Sequence, residues 1–375
     1  MALKSAKHRE TPAPLDLDRL RVFPLKERKS LSRIEGLLVD PAGPAPACDP
    51  GLAERVQHCA EAVRQARNQG AAVILMYGAH LIKNGALRVV NALIEGGWIS
   101  HLATNGAGVI HDWELAFQGK TEESVRANVA QGCFGTWDET SRHIHTALLA
   151  GAVIEEGYGR SVGRMIAEEG VTLPDRQALR DLLSHEPEHP LAPARADLLQ
   201  AMVKHKLPEG RLELLHPWKA TSILANAFLH GVPLTVHPGI GYDIISNHPI
   251  FNGAAIGRAA ALDFRVFGGS VEQLDHGVIL SVGSAIMAPQ VFEKSLSCVN
   301  NLRRQSGREV VKNHRIYVVD LQDGGNWDWS HGEPPKTNPA YYLRFCKSFA
   351  RMGGTMEYLQ CDNVLFLHRL LKALV

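Results

Sequence analysis

The sequence predicts an α/β protein with a Rossmann-like, mostly parallel sheet and helices on both faces. Three observations predict it. Short apolar runs have the composition of strands buried on both faces, as in Ala71-Ala72-Val73-Ile74-Leu75-Met76 and Val278-Ile279-Leu280-Ser281-Val282. Stretches with apolar residues at helical spacing alternate with these runs. The predicted strands ending at Met76, Ala103, Val236 and Val282 each run into a turn of small or polar residues. Ligands of open α/β sheets sit outside the carboxyl ends of the strands, so four such turns point to one ligand-binding edge.

The elements follow in order. Residues 1–50 are rich in proline and charge, and Pro41-Ala42-Gly43-Pro44-Ala45-Pro46 suits neither a regular helix nor a central strand. This segment reads as an arm that packs on the domain or on a neighbouring subunit, and residues 51–375 as a single α/β nucleotide-binding domain. Residues 52–68 form an amphipathic helix with Leu52, Val56, Cys59, Ala60 and Val63 on one face. Strands are expected near 72–76, 98–103, 232–236, 278–282 and 316–320. Residues 140–168 read as helix broken near Gly157-Tyr158-Gly159, and 173–207 as helices on either side of a loop at His185-Glu186-Pro187-Glu188-His189-Pro190. Further helices are expected at 222–230, 255–266 and 364–375, the first of them ending at Gly231.

Composition narrows the function. Of 375 residues, 45% are hydrophobic, enough for a sizeable core. A net charge of +1 gives no support to a nucleic-acid or anionic-membrane partner. No apolar run reaches membrane-span length, and residues 1–10 lack the apolar core of a leader peptide. The six cysteines form no C-x-x-C pair, so reduced thiols in a cytoplasmic protein are expected.

The central stretch runs from Ala71 to Phe117: strand, helix, strand, then the turn Thr104-Asn105-Gly106-Ala107-Gly108 and a further helix. A glycine turn between a buried strand and a helix lets backbone N–H groups approach a phosphate. The full G-x-G-x-x-G spacing is absent, and close helix–strand packing by itself also explains Gly106 and Gly108.

This stretch resembles a family. Leu102-Ala103-Thr104-Asn105-Gly106-Ala107-Gly108-Val109-Ile110-His111-Asp112 is similar to the L-V-T-T-A-G-G-V-E-E-D segment of deoxyhypusine synthases, and residues 77–85 resemble their G-Y-T-S-N-L-x-S-S-G. The likeness continues in order to the C-terminus. It implies a homo-oligomer (a tetramer, or at least a dimer), a bound NAD and a lysine that forms an imine with an aminobutyl group. At the lysine's place stands Arg344, whose guanidinium stays charged and cannot form an imine. Lys336 and Lys347 are nearby substitutes only in a shifted register. The family's histidine gives way to Ala288 or Pro289, and two of its acids to Ile110 and His111. The cofactor residues implied by the turns and the resemblance are Asn105, Gly106, Gly108, Gly283, Ser284, Asp362 and Asn363.

The expected function is thus a divergent NAD-dependent enzyme acting on a small, less cationic substrate, with His111, Asp112, His237 and Asp243 as acid–base candidates. A genuine aminobutyl transferase and a non-catalytic nucleotide-binding scaffold are the alternatives. No metal is expected: the 18 histidines match no established ligand spacing.

Overall fold

A computed structural model describes residues 12–375. The charged stretch 1–10, read above as lacking a leader's apolar core, lies outside the described residues, as does Thr11. Six parallel strands make the main sheet: β1 (Val73–Tyr77), β2 (His101–Thr104), β3 (Leu234–Val236), β4 (Val278–Val282), β5 (Arg315–Asp320) and β6 (Thr355–Gln360). Their spatial order is β6-β5-β4-β1-β2-β3, and every neighbouring pair is parallel. This is the strand order of the doubly wound dinucleotide-binding fold, with its reversal point between β1 and β4.

Alternating side chains of the strands feed two cores. Val73, Leu75, Tyr77, Leu102, Val236, Leu280 and Val319 face one layer with the helices Pro50–Asn68, Leu87–Glu95 and Asn363–Leu374. Ile74, Met76, Ala103, Ile279, Ile316 and Val318 face the other, with Gly253–Glu272 and Met287–Gln305. The continuous apolar runs expected for strands buried on both sides are therefore what this layering requires.

The five expected strands are all present, displaced by up to three residues at their starts. β6 was missed because Thr355-Met356-Glu357-Tyr358-Leu359-Gln360 is an edge strand with polar residues along it. Two short antiparallel pairs were missed as well, Ser32–Arg33 with Lys120–Thr121 and Gly170–Leu173 with Gly210–Glu213. The break near Gly157 separates the helices Asp138–Ala152 and Tyr158–Ala167, and the loop at His185–Pro190 separates Arg176–His185 from Ala192–Lys204. These four helices lie in the long excursion between β2 and β3.

The proline-rich segment is laid against this body by specific bonds. The Phe23 N–H donates to Thr136 O at 2.9 Å, Ile34 N–H to Gly119 O at 2.9 Å, and Val39 N–H to Gly85 O at 3.1 Å. Gly85 has φ +84°, and a Cβ there would collide with the Leu37 carbonyl. Gly85→Ala is therefore expected to lower stability by on the order of 2 kcal/mol, from left-handed strain plus displacement of the segment. Urea denaturation checks this, and an unchanged midpoint would contradict it.

Candidate functional site

The helix Gly106–Gln118 begins directly after β2. Asn105 caps it, its side chain accepting the Gly108 N–H at 2.9 Å. Ala107, Ile110, His111 and Glu114 recur at helical spacing, so they share one face. With Lys83, Glu122, Tyr242, Asp243 and Ile244 they line a cavity of about 230 Å³.

Glu114 is the buried anchor of this face. Arg28 reaches its two oxygens with two nitrogens, at 2.6 and 2.8 Å. The Thr121 hydroxyl adds a bond at 2.7 Å and Thr140 one at 3.3 Å. Thr121 also meets His111 Nδ1 at 2.7 Å. Burial pushes the His111 imidazolium down, and Lys83 and Arg28 add to this against the opposing pull of Glu114 and Glu122. At the rim, Lys83 pairs with Glu122 at 2.8 Å.

Asp243 enters from the turn after β3. Its Oδ2 accepts the Gly239 N–H at 2.9 Å, while Oδ1 is buried without a partner among the described residues. Burial raises its carboxyl to about 6, opposed by the Gly239 bond. His111 and Asp243 are thus brought into one cavity.

The other two acid–base candidates lie elsewhere, for plain geometric reasons. Asp112 follows His111 on the helix and so points to a different side. It is buried and accepts the Leu224 N–H at 2.9 Å, at the start of helix Ile223–Leu229. His237 alternates with Val236 and faces the opposite layer, edge-on to Phe267 and 3.3 Å from Thr235 Oγ1.

The expected cofactor residues sit in closely packed turns. A Cβ on Gly106 would meet the Asp243 carboxylate, and one on Gly108 the Thr104 hydroxyl. Both glycines are thus closely packed against this chain's own side chains. At the end of β4, Gly283 has φ +59° with the Asn363 side chain packed against it. Ser284 Oγ accepts the Ala288 N–H at 3.3 Å. Asp362 caps helix Asn363–Leu374 through Val364 and Leu365.

The histidines do not converge either. His143 packs against Trp113 and Phe117, whereas His145 Nδ1 meets Ser141 O on the same helix. His248 Nε2 bonds Asp138 at 3.0 Å. No cluster of three His, Cys, Asp or Glu suited to a metal occurs among the described residues. No helix there is long and apolar enough to cross a membrane.

Sequence reasoning missed Glu114, Thr121, Arg28, Lys83 and Glu122. For Glu114 a signal existed: it stands three residues after His111 in a predicted helix and shares its face. The others arrive through tertiary contacts.

The strand order and the edge cavity together define a doubly wound α/β protein with its candidate site at the carboxyl ends of the strands. No family model matches the chain, and no curated protein matches it in sequence. Among solved structures it is similar to the apo structure of ArgZ, an arginine dihydrolase from the ornithine-ammonia cycle in cyanobacteria. That likeness has 15% identity and a TM-score of 0.41, over 85% of this chain and 32% of ArgZ. A conserved putative LOR/SDH protein from Methanococcus maripaludis S2 shows 13% identity and a TM-score of 0.43, over 90% of this chain and 72% of that one. AgrE in a ternary complex with ornithine and NAD+ shows 14% identity and a TM-score of 0.42, over 88% of this chain and 34% of AgrE. The chain thus spans about a third of the length of ArgZ and AgrE. None of these three is a deoxyhypusine synthase, and the fold rests on the strand order itself.

Buried titratable groups set the pH response. Burial lowers His101 to about 3 and His143, His145, His216 and His237 each to about 4. Unfolded, these groups titrate near 6.5. The unfolded state therefore binds the extra protons as pH falls from about 6.5 to 4, and their contribution to stability is lost through that window. Asp112 and Asp263, raised to about 7, and Asp243, raised to about 6, act oppositely and gain stability as pH falls. The histidines are more numerous, so the melting temperature is expected to drop between pH 6 and 4.5. Circular dichroism melts check this, and a rise across that range would contradict it.

Proposed function

We propose that the protein is an enzyme that acts on a small molecule by acid–base chemistry, with His111 as the base and Asp243 as its acid partner. The observation that carries this reading is their placement in one cavity at the carboxyl edge of the sheet. His111 is held neutral by burial, and the Asp243 carboxyl is shifted toward neutrality. A base and an acid whose surroundings pull their titrations in opposite directions can exchange protons with a substrate near pH 7. Ile110, Phe134 and Ile244 give the cavity an apolar wall, and its size suits a small metabolite.

The NAD-linked form of this reading is supported by the strand order, which favours a dinucleotide in the crevice between β1 and β4. When bound, NAD would accept the electrons of substrate oxidation. The chain's own part is to orient the substrate and to take its hydroxyl or amine proton on His111. A dimer or tetramer belongs to the same proposal. Ile240, Tyr242, Ile286 and Leu321 are exposed just after β3, β4 and β5, where a ligand or a second copy would cover them.

A deoxyhypusine-type transferase is the second reading, and the site residues favour it less. Arg344 is exposed at the start of helix Arg344–Ala350, in a shallow depression with Tyr341, Tyr342, Lys347 and Arg351. The Lys347 ammonium lies 3.4 Å from the centre of the Tyr341 ring. Neither Lys336 nor Lys347 lines the His111 cavity. Borohydride trapping with NAD and spermidine should therefore give no adduct by intact mass.

Millimolar NAD or NADP is expected to raise the melting temperature, because it binds only the folded state. No shift with either would remove the NAD link. In a screen of small alcohols and amines followed at the nicotinamide absorbance, His111→Gln should lower turnover by roughly 10²–10⁴-fold. Its fold should be kept, since the imidazole has one protein partner. An unimpaired variant would remove His111 as the base.

A further inference from the structure

The His111 ring is not free to choose which nitrogen carries its proton. Glu114 accepts two guanidinium N–H groups from Arg28, and both side chains are 1% exposed. A carboxylate in a two-point pair with a guanidinium is ionised and has no proton to give. The Thr121 hydroxyl, 2.7 Å from Glu114 Oε2, therefore donates its single proton to Glu114. Toward His111 Nδ1, also at 2.7 Å, its oxygen can only accept. Nδ1 must then bear the hydrogen. The neutral ring is left with a bare lone pair on Nε2, which has no hydrogen-bond partner among the described residues and is not a sealed buried atom.

The N-terminal segment supplies one member of this relay and braces another. Arg28 belongs to it. So does Ser32, which is paired with Thr121 in the short antiparallel bridge Ser32–Arg33 with Lys120–Thr121. Leu31 N–H donates to Glu122 O at 3.1 Å and Ile34 N–H to Gly119 O at 2.9 Å, on either side of Thr121. Gly119 and Glu122 both have left-handed φ values, +64° and +65°, so the turn carrying Thr121 depends on this clamp.

We infer that the segment around Arg28 and Ser32 is part of the site: Arg28, Glu114 and Thr121 form a relay that fixes His111 with its proton on Nδ1 and its acceptor lone pair on Nε2. Thr121 and Glu114 are positioning residues in this scheme. The use made of the lone pair rests on the proposed function, whereas the tautomer itself does not.

The test is long-range ¹H–¹⁵N NMR of the histidine rings in the full chain at pH 7.5, with His111 assigned by comparison with His111→Gln. The wild type and Thr121→Ser are expected to show the Nδ1–H form. Thr121→Val, which keeps the shape and removes the hydroxyl, is expected to lose it. An Nε2–H ring in the wild type, or an unchanged ring in Thr121→Val, would overturn the relay. If Thr121→Val does not fold, the wild type and the serine variant decide alone. The measurement needs no substrate or cofactor. A failed turnover screen would thus sink the proposed enzyme and leave the tautomer standing, and the wrong tautomer would sink the relay whatever the screen gives. Once a substrate is found, Thr121→Val should lower kcat with KM little changed, and Thr121→Ser should restore it.

Discussion

The buried pair between Arg28 and Glu114 is the contact on which the site depends. Burying two charges is expensive, and the cost is met only when geometry is good and the remaining hydrogen-bonding positions are filled. Here both conditions hold: two guanidinium contacts, and two threonine hydroxyls on the carboxylate. Removing one partner of such a pair typically costs about 3–5 kcal/mol, because the other charge is left uncompensated. That penalty ties the Arg28 segment to the helix after β2. A rigid Glu114 in turn gives Thr121 and His111 a fixed reference.

A second constraint sits about two turns earlier on the same helix. The Asp243 carboxylate lies against Gly106, at the end of the helix where its dipole favours negative charge. That attraction is worth about 0.3–1 kcal/mol and lowers a carboxyl pKa. Burial acts the other way and is the larger effect, so the carboxyl ends near 6. The head of the helix after β2 thus has an acid of the chain itself packed against it.

The excursion between β2 and β3 supplies Glu122, Phe134 and the Thr140 hydroxyl. The cavity's lining therefore comes from four separated stretches: the segment before residue 50, the short helix after β1, the helix and loop after β2, and the turn after β3. The sheet aligns the carboxyl ends of β1, β2 and β3, and the Arg28 pair adds the N-terminal stretch.

By itself the sequence determined the layered α/β fold, because strands buried on both faces must be continuously apolar and such runs are visible without coordinates. It determined five of the six strands, and of its four acid–base candidates His111 and Asp243 line one cavity. It could not reveal β6, whose edge position relaxes the apolar requirement. It also could not say what fills the space beside a glycine. Gly106 and Gly108 read alike for a phosphate or for a neighbouring side chain, and Asp243 and Thr104 are the neighbours. Tertiary structure alone decided that Asp112 caps a helix, that His237 faces the far layer, and that Arg28 lies against Glu114 across 86 residues of chain. Direction of a side chain and partnership across long separations depend on how the layers pack, and no local pattern of residues encodes them.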